Sequence, residues 1–145
     1  MTTTFHVERE SSLSPAEAWR RVTDWERHAA HVPLTTVVRD GDAGFTARTG
    51  VGPLSFADPM EIVRWEPPDA GGGPGRCRLE KRGAVVLGWA EIEVWPRDPG
   101  PGSRIVWRED LRVRGLPKAF GRPTAWAGRR VFGRALDALL AGDPR

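Results

Sequence analysis

The sequence has one cysteine, Cys77, and no tyrosine, asparagine or glutamine. A single thiol cannot build an internal disulfide framework or a thiolate zinc site. No apolar run approaches the ~20 residues of a membrane-spanning helix. The opening residues are polar and then charged, which is unlike a secretory signal peptide. Together these absences predict a protein of the reducing cytoplasm that has no membrane span.

Lysine is also scarce, since Lys81 and Lys118 are the only two lysines among 22 basic residues. The abundance of arginine, alanine, glycine and proline is typical of a GC-rich genome and carries little chemical information. The formal net charge is +3, but 19 acidic residues are spread among the basic ones. A nucleic-acid-binding protein usually clusters its basic residues on one face or arm. The charge pattern therefore predicts no nucleic-acid partner.

The length of 145 residues suits a single domain that spans residues 1–145. Hydrophobic residues make up 39% of the chain and charged residues 28%, a balance typical of globular proteins. A chain of this length buries ~70% of its unfolded surface, so it needs neither a disulfide nor a metal to fold. No spacing of histidine, aspartate or glutamate suggests a metal site. We expect no metal and no cofactor.

The beginning of the chain predicts one strand and two short helices. Residues 3–10 alternate apolar and polar side chains, as a half-buried strand does. Ser14, with proline next to it and glutamate three residues later, forms a capping pattern that predicts a helix start. Asp24 predicts the start of a second short helix, which reaches about Ala30 and is stopped by Pro33.

The middle of the chain predicts six more strands, which are separated by turns rich in glycine and proline. We expect a kink in the third of these strands near Pro59, and a turn at Gly50–Pro53. Short connections between successive strands predict an antiparallel meander. The six predicted strands span residues 35–39, 45–49, 54–65, 76–82, 84–95 and 104–113.

The end of the chain predicts one long amphipathic helix from Thr124 to Ala141, which Gly142 ends. Such a helix, following a complete antiparallel sheet, must bury its apolar stripe on that sheet. The fold class is therefore α+β, a curved antiparallel sheet of about seven strands around a long C-terminal helix. The space between sheet and helix is the natural ligand site. The apolar stripe consists of Ala125, Gly128, Phe132, Ala135, Leu136 and Leu139.

Six segments of the chain carry a resemblance to a known family: Ser14–Trp19, Thr23–Glu26, Val32–Leu34, Val63–Pro68, Trp107–Asp110 and Arg129–Leu136. Together they resemble a small, single-domain bacterial member of the SRPBCC superfamily. This superfamily includes the START lipid-transfer domains, the birch-pollen allergen family and the polyketide cyclase/dehydrase-like proteins. The resemblance covers nearly the whole chain and implies a helix-grip fold with a hydrophobic cavity under the last helix, and it offers no universal catalytic motif to transfer.

Three histidines are candidates for acid–base chemistry, because imidazole titrates near neutral pH. His6 is expected to face solvent, since it alternates with Phe5 and Val7 on the first strand. His28 and His31 straddle the end of the second short helix, which roofs the cavity mouth in the fold that the chain resembles. We favour His31 over His28 as the general base. The alternative is that both are ordinary surface or helix-terminal histidines.

Two carboxylates are candidates for the interior. Glu109 shares the apolar face of the last strand with Trp107, and an inward carboxylate must be paired or shifted in pKa. It either holds a proton or a polar group of a ligand, or forms an ion pair with an inward Arg48 or Lys81. Asp58 shares a face with Met60 and is either inward or part of a turn before Pro59.

The helix and the tryptophans complete the candidate list. Gly128 lies in the middle of the buried helical stripe, where it either leaves room for a ligand or allows close helix–sheet approach. Gly88 is its possible counterpart across the cavity. Trp107 lies on the apolar face and could line the cavity. The residues expected to bind a ligand are His31, Arg48, Asp58, Met60, Trp107, Glu109, Ala125, Gly128 and Phe132.

Three functions remain open at this level. The first is binding of a hydrophobic or amphipathic small molecule, such as a lipid or a polyketide-like aromatic, in the cavity. The second is a cyclase or dehydratase of the polyketide type that uses His31 and Glu109 as its acid–base pair. The third is a protein-interaction module that presents Trp89 and Trp95 on the convex side of the sheet. We expect a monomer or a dimer.

Overall fold

The structure is a computed structural model that describes residues 3–32, 34–39, 41, 44–51, 53–69, 71–84, 86–97, 100–114 and 121–141. No helix in this part of the chain combines the length and the apolar character that crossing a membrane requires. Two expected helix-ending residues, Pro33 and Gly142, lie outside the described residues.

The described residues form seven strands and three helices, in the order that the sequence predicts. The first strand precedes two short helices, six strands follow, and a long helix comes last. The elements are β1 (Thr3–Ser11), α1 (Pro15–Val22), α2 (Trp25–Ala30), β2 (Thr35–Arg39), β3 (Gly44–Val51), β4 (Leu54–Glu66), β5 (Gly75–Arg82), β6 (Val86–Pro96), β7 (Ser103–Val113) and α3 (Gly121–Ala141).

The seven strands form one antiparallel sheet in the order β1-β7-β6-β5-β4-β3-β2. Strands β2 to β7 pair with their neighbours in sequence, as a meander does, and β1 returns to pair with β7 along its whole length. The two short helices fill the long connection between β1 and β2, which lie at opposite edges of the sheet. The predicted α+β class and the antiparallel meander are confirmed.

Both short helices begin where their capping residues predict. The side chain of Ser14 accepts a hydrogen bond from the backbone N–H of Glu17 at 3.2 Å, and Asp24 accepts one from the N–H of Arg27 at 3.3 Å. Each cap satisfies one of the backbone donors that a helix start leaves unpaired. The caps therefore fix the residue at which each helix begins.

Three details differ from the sequence-based expectation. Strand β4 is not interrupted at Pro59, which pairs with Thr46 of β3 in continuous register. On the other side, β5 pairs with β4 only from Met60 onward. The missing N–H of Pro59 therefore removes no hydrogen bond between β4 and β5. The irregularity in β4 lies instead between Ile62 and Arg64. In addition, Gly50 and Val51 belong to β3, and α3 begins three residues earlier than Thr124, at Gly121.

The long helix packs its apolar stripe against β1 and against the short helices. Ala135, Leu136 and Leu139 are buried, and Phe132 stacks on Phe5 of β1 with ring centroids 5.9 Å apart. Burying a side chain such as Leu136 contributes about 1.5–3 kcal/mol. Because α3 packs mainly along the β1 edge, the concave face of the sheet nearer β2 is covered by α2 instead.

Candidate functional site

A cavity lies between α2, Phe132 of α3 and the inner face of strands β2 to β7, and its volume is about 120 Å³. Pockets that hold drug-sized ligands measure ~300–1,000 Å³, whereas an apolar cavity of ~150 Å³ takes up benzene. The cavity therefore has room for a group the size of one aromatic ring.

Aromatic side chains form the walls of this cavity. Trp25 of α2 stacks on Phe45 of β3 with centroids 5.0 Å apart and planes 19° from parallel. On the other side, Trp107 of β7 lies 5.1 Å from Phe132 of α3. All four rings line the cavity. Such faces provide apolar contact area and a negative π-surface.

One end of the cavity is polar and holds three ionisable side chains. The ammonium of Lys81 lies 2.8 Å from Oδ2 of Asp58 and 3.3 Å from Oε1 of Glu109. The second oxygen of Glu109 accepts a hydrogen bond from the indole N–H of Trp107 at 3.3 Å. All three ionisable residues are buried, with Glu109 only 2% exposed. We refer to Asp58, Lys81 and Glu109 as the buried triad.

The triad is assembled across four neighbouring strands. Asp58 lies on β4, Lys81 on β5 and Glu109 on β7, so β6 runs between the last two. On β6, Gly88 pairs with Lys81 and Ala90 pairs with Glu109. Because these two positions carry no side chain or only a methyl group, the lysine side chain can reach over β6 to Glu109.

Burial and charge act together on the triad. Burial alone lowers the pKa of Lys81, but the carboxylates of Glu109 and Asp58 outweigh that effect and raise it. Lys81 is therefore a permanent cation. For Glu109, burial raises the pKa, and the ammonium of Lys81 and the indole of Trp107 offset only part of the rise. Burial thus makes the carboxyl of Glu109 a weaker acid than that of an exposed glutamate.

His28 borders the cavity as a neutral imidazole. Its Nε2 contacts the carbonyl oxygen of Val22, which can only accept, so Nε2 carries the proton. Burial lowers the pKa of His28 to about 4. The hydrogen bond to Val22 favours the charged form and offsets only part of this decrease. The ring lies 4.8 Å from Trp107 and 5.7 Å from Trp25. At neutral pH His28 contributes a hydrogen-bond acceptor, Nδ1, rather than a charge.

The structure brings together five of the nine residues that the sequence predicts for ligand binding. The residues of that set that line the cavity are Asp58, Met60, Trp107, Glu109 and Phe132. The remaining four are His31, Arg48, Ala125 and Gly128, and the structure does not place them on the cavity wall.

His31 and Arg48 face away from the cavity. His31 caps the C-terminus of α2, is exposed, and lies on an open depression that adjoins the cavity at Ala29, Val32 and Thr35. The histidine that lines the cavity itself is His28. Arg48 is exposed and donates to the hydroxyl of Ser55 at 3.4 Å. Its neighbour Ala47 faces inward, because side chains alternate along β3.

Gly128 and Ala125 lie on the stripe of α3 that packs beside the cavity rather than over it. A Cβ atom on Gly128 would lie 2.7 Å from Cε1 of Phe5. The glycine therefore allows close approach of α3 to β1. This favours the helix–sheet interpretation of Gly128 over the one in which it leaves room for a ligand. The lining position on α3 is Phe132, one turn further along.

Two residues that line the cavity, Lys81 and His28, were considered in the sequence analysis but were not predicted to bind a ligand. The sequence does contain a signal for the burial of Lys81. Cys77, Leu79 and Lys81 occupy every second position of β5 and so share one face, and all three are buried. No sequence pattern predicts that His28 is buried, since α2 has only six residues. The burial of His28 depends on its contacts with Trp25 and Trp107.

The tryptophans proposed for an interaction surface are covered. The guanidinium of Arg78 lies 4.6 Å from the ring centre of Trp89, and that of Arg76 lies 5.4 Å from Trp95. Both tryptophans are half-buried, so they do not form an exposed apolar patch. Within the described residues, no group of three or more His, Cys, Asp or Glu side chains is arranged to hold a metal ion.

No protein-family model and no curated protein matches this chain. Solved structures are similar over almost its whole length. A START superfamily protein from Mycobacterium smegmatis has a TM-score of 0.71 and 12% identity, with 95% of this chain and 97% of that chain covered. Ara h 8.0201 has a TM-score of 0.57 and 13% identity, with 98% and 100% covered.

A third similar structure is norcoclaurine synthase from Thalictrum flavum in complex with dopamine and hydroxybenzaldehyde. Its TM-score is 0.57 at 15% identity, and 100% of this chain and 90% of that chain are covered. At these identities the likeness shows the fold. The fold is the helix-grip fold, as the sequence resemblance implied.

Proposed function

We propose that this protein binds a small, hydrophobic or amphipathic molecule in the cavity between α2, α3 and the sheet. The observation that carries the proposal is the division of the cavity into aromatic walls and one polar end. Trp25, Phe45, Trp107 and Phe132 provide the walls, and the buried triad provides the polar end. A ligand that is apolar at one end and polar at the other matches this division.

The size of the cavity favours a ligand with a single ring over a lipid or a polyketide chain. A volume of about 120 Å³ accommodates a group the size of one ring, whereas a lipid or polyketide chain would extend beyond the cavity. The ligands in the norcoclaurine synthase structure, dopamine and hydroxybenzaldehyde, show that a protein of this fold can bind such molecules. They support the proposal by analogy of fold.

Binding can be tested by isothermal titration calorimetry with neutral single-ring probes, toluene and benzyl alcohol. We expect saturable binding to the wild-type protein. Ala47→Leu, which places a larger side chain in the cavity wall, should abolish it. Ala57→Leu is the matched control on β4, because Ala57 neighbours Asp58 and faces the other side of the sheet. Equal binding by both variants, or no saturable binding at all, would contradict the proposal.

A second candidate function is catalysis of the cyclase or dehydratase type, with Glu109 as proton donor and acceptor. The observation in its favour is the raised pKa of Glu109, caused by burial, which moves this carboxyl toward the range useful for acid–base chemistry. His31 is exposed and does not line the cavity, so Glu109 is the member of the predicted pair that the cavity holds. Turnover that Glu109→Gln abolishes while ligand affinity is kept would establish this function; unchanged turnover would exclude Glu109 from it.

The cellular setting remains a prediction. The single buried thiol, Cys77, fits a reducing cytoplasm. A monomer or dimer is expected, and sedimentation analysis would decide between them.

A further inference from the structure

The buried triad does not balance its own charge. It holds two carboxylates, Asp58 and Glu109, against the single ammonium of Lys81. Among the described residues that line the cavity, Lys81 is the only permanent cation, because burial keeps His28 neutral despite its hydrogen bond to Val22. With both carboxylates ionised, the cavity carries one net negative charge in apolar surroundings. Such a charge must be met by a proton or by a second cation.

The triad and its surroundings also lack hydrogen-bond donors. Asp58 binds Lys81 through Oδ2, and its Oδ1 is buried with no hydrogen-bond partner among the described residues. Nδ1 of His28, an acceptor in this tautomer, is also buried and has no hydrogen-bond partner among the residues that the structure describes. A buried acceptor without a donor destabilises the folded protein, because it has lost its hydrogen bonds to water. Both orphan atoms thus call for N–H or O–H groups rather than for further acceptors.

The aromatic walls favour a positive charge in this place as well. Trp107 donates to Glu109 through its indole N–H, and its ring lies 5.1 Å from that of Phe132, so two aromatic rings line the cavity near its acidic end. An ammonium group near such a surface is stabilised by cation–π attraction, and most strongly when it is shielded from water. Negative charge, missing donors and aromatic faces therefore point to the same kind of ligand group.

We propose that the cavity selects a monocyclic arylalkylammonium ion, whose ring lies between the aromatic walls and whose ammonium group meets Asp58 and Glu109 beside Lys81. This inference rests on the proposed function and deepens it, since it names the class of ligand. A neutral ring of the same size would fill the walls but leave the negative charge uncompensated. A carboxylate of the same size would add a third anion.

The proposal requires binding to depend on pH. In the empty cavity Glu109 can carry the compensating proton, and the incoming ammonium replaces it, so affinity rises with pH until the amine itself loses its proton. The charged or titratable groups that face Glu109 are Lys81 from β5, Asp58 from β4 and His28 from α2. The residues opposite from β1 and α3, Phe5 and Phe132, are apolar.

The test is calorimetric titration of the wild-type protein with benzylamine, benzyl alcohol and benzoate at pH 6 and pH 8. We expect benzylamine to bind roughly tenfold tighter than benzyl alcohol at pH 8, with benzoate the weakest, and the preference to shrink at pH 6. If benzyl alcohol binds as tightly as benzylamine, the proposed function stands and this inference fails. If none of the three binds saturably, the proposed function itself fails.

A pair of variants locates the selectivity. Asp58→Asn removes one carboxylate of the triad and should lower the affinity for benzylamine to that for benzyl alcohol. Asp110→Asn is the matched control, since Asp110 lies on β7 next to Glu109 but faces Thr4 at 3.5 Å on the other side of the sheet. Should Asp58→Asn fail to fold, the wild-type panel decides alone. A benzylamine preference that survives Asp58→Asn, or that Asp110→Asn removes equally, would overturn the assignment.

Discussion

Lys81 and Glu109 form a buried ion pair across an intervening strand. The ammonium of Lys81 lies 3.3 Å from Oε1 of Glu109, although β6 runs between their strands, and both side chains are no more than 4% exposed. The pair exists because β6 presents Gly88 and Ala90 to the space that the lysine crosses. The charged groups thus meet at a point where β6 carries no side chain larger than a methyl group.

Removing the ammonium should destabilise the protein strongly. Lys81→Met leaves Asp58 and Glu109 buried without a cation, and breaking a buried pair in this way costs about 3–5 kcal/mol. The measurement is urea unfolding at pH 7. The triple variant Lys81→Met, Asp58→Asn, Glu109→Gln has no charge to leave unpaired, so it should regain most of that loss. A single variant as stable as the wild type would show that the triad is more hydrated than its burial implies.

Gly88 should tolerate no side chain. Its φ is +126°, and a Cβ there would lie 1.9 Å from the carbonyl oxygen of Asp110, a backbone atom of the neighbouring strand that cannot move aside. We expect Gly88→Ala to lower the free energy of unfolding by at least about 3 kcal/mol. The matched control is Gly72→Ala: its φ is +92° but nothing lies near its Cβ, so only the backbone strain of about 1–2 kcal/mol applies. Equal losses would mean that the strand contact is unimportant.

Stability should fall as acid charges His28. The folded-state pKa of His28 is about 4, mainly because of burial, against 6.5 in the unfolded chain. The unfolded state therefore binds the proton first, and about 3 kcal/mol of stability is lost between pH 6.5 and pH 4. His28→Gln keeps a donor for the carbonyl of Val22 but does not titrate, so it should flatten this slope. His6→Gln, at an exposed position, should keep the wild-type slope.

The difference between these two variants isolates His28 from other groups that titrate in the same range. Glu109 has the opposite effect on the pH dependence of stability. Because its pKa is raised above 4.5 in the folded state, the folded protein takes up this proton before the unfolded chain does, and acidification through this range adds stability. If wild type and His28→Gln lose stability equally on acidification, His28 is not the group responsible.

Cys77 should be unreactive in the folded protein. It is 1% exposed, and burial raises the pKa of its thiol to about 12, so almost no thiolate is present at pH 8. A chromogenic disulfide reagent should find one reactive thiol only after denaturant is added. Thr36→Cys, at an exposed position on β2, provides the reactive control in the native state. Rapid labelling of native Cys77 would indicate that β5 opens locally.

Much of this architecture follows from the sequence because it depends on local rules. Ser14 and Asp24 cap the helices they were expected to cap, and the alternation on β7 places Glu109 beside Trp107 on the inner face. Side-chain alternation in a strand and hydrogen bonding at a helix start each involve residues only a few positions apart. Such features are readable without knowing what lies on the other side of the core.

The sequence by itself thus determined the order of elements, the single curved sheet and the presence of an inward carboxylate. Only the tertiary structure decided which histidine borders the cavity, because His28 is buried by Trp107, a residue 79 positions away in the chain. It also decided that Gly128 serves contact with Phe5 and that Lys81 meets two carboxylates from different strands. These outcomes depend on distances between elements far apart in sequence, which packing fixes and local pattern does not.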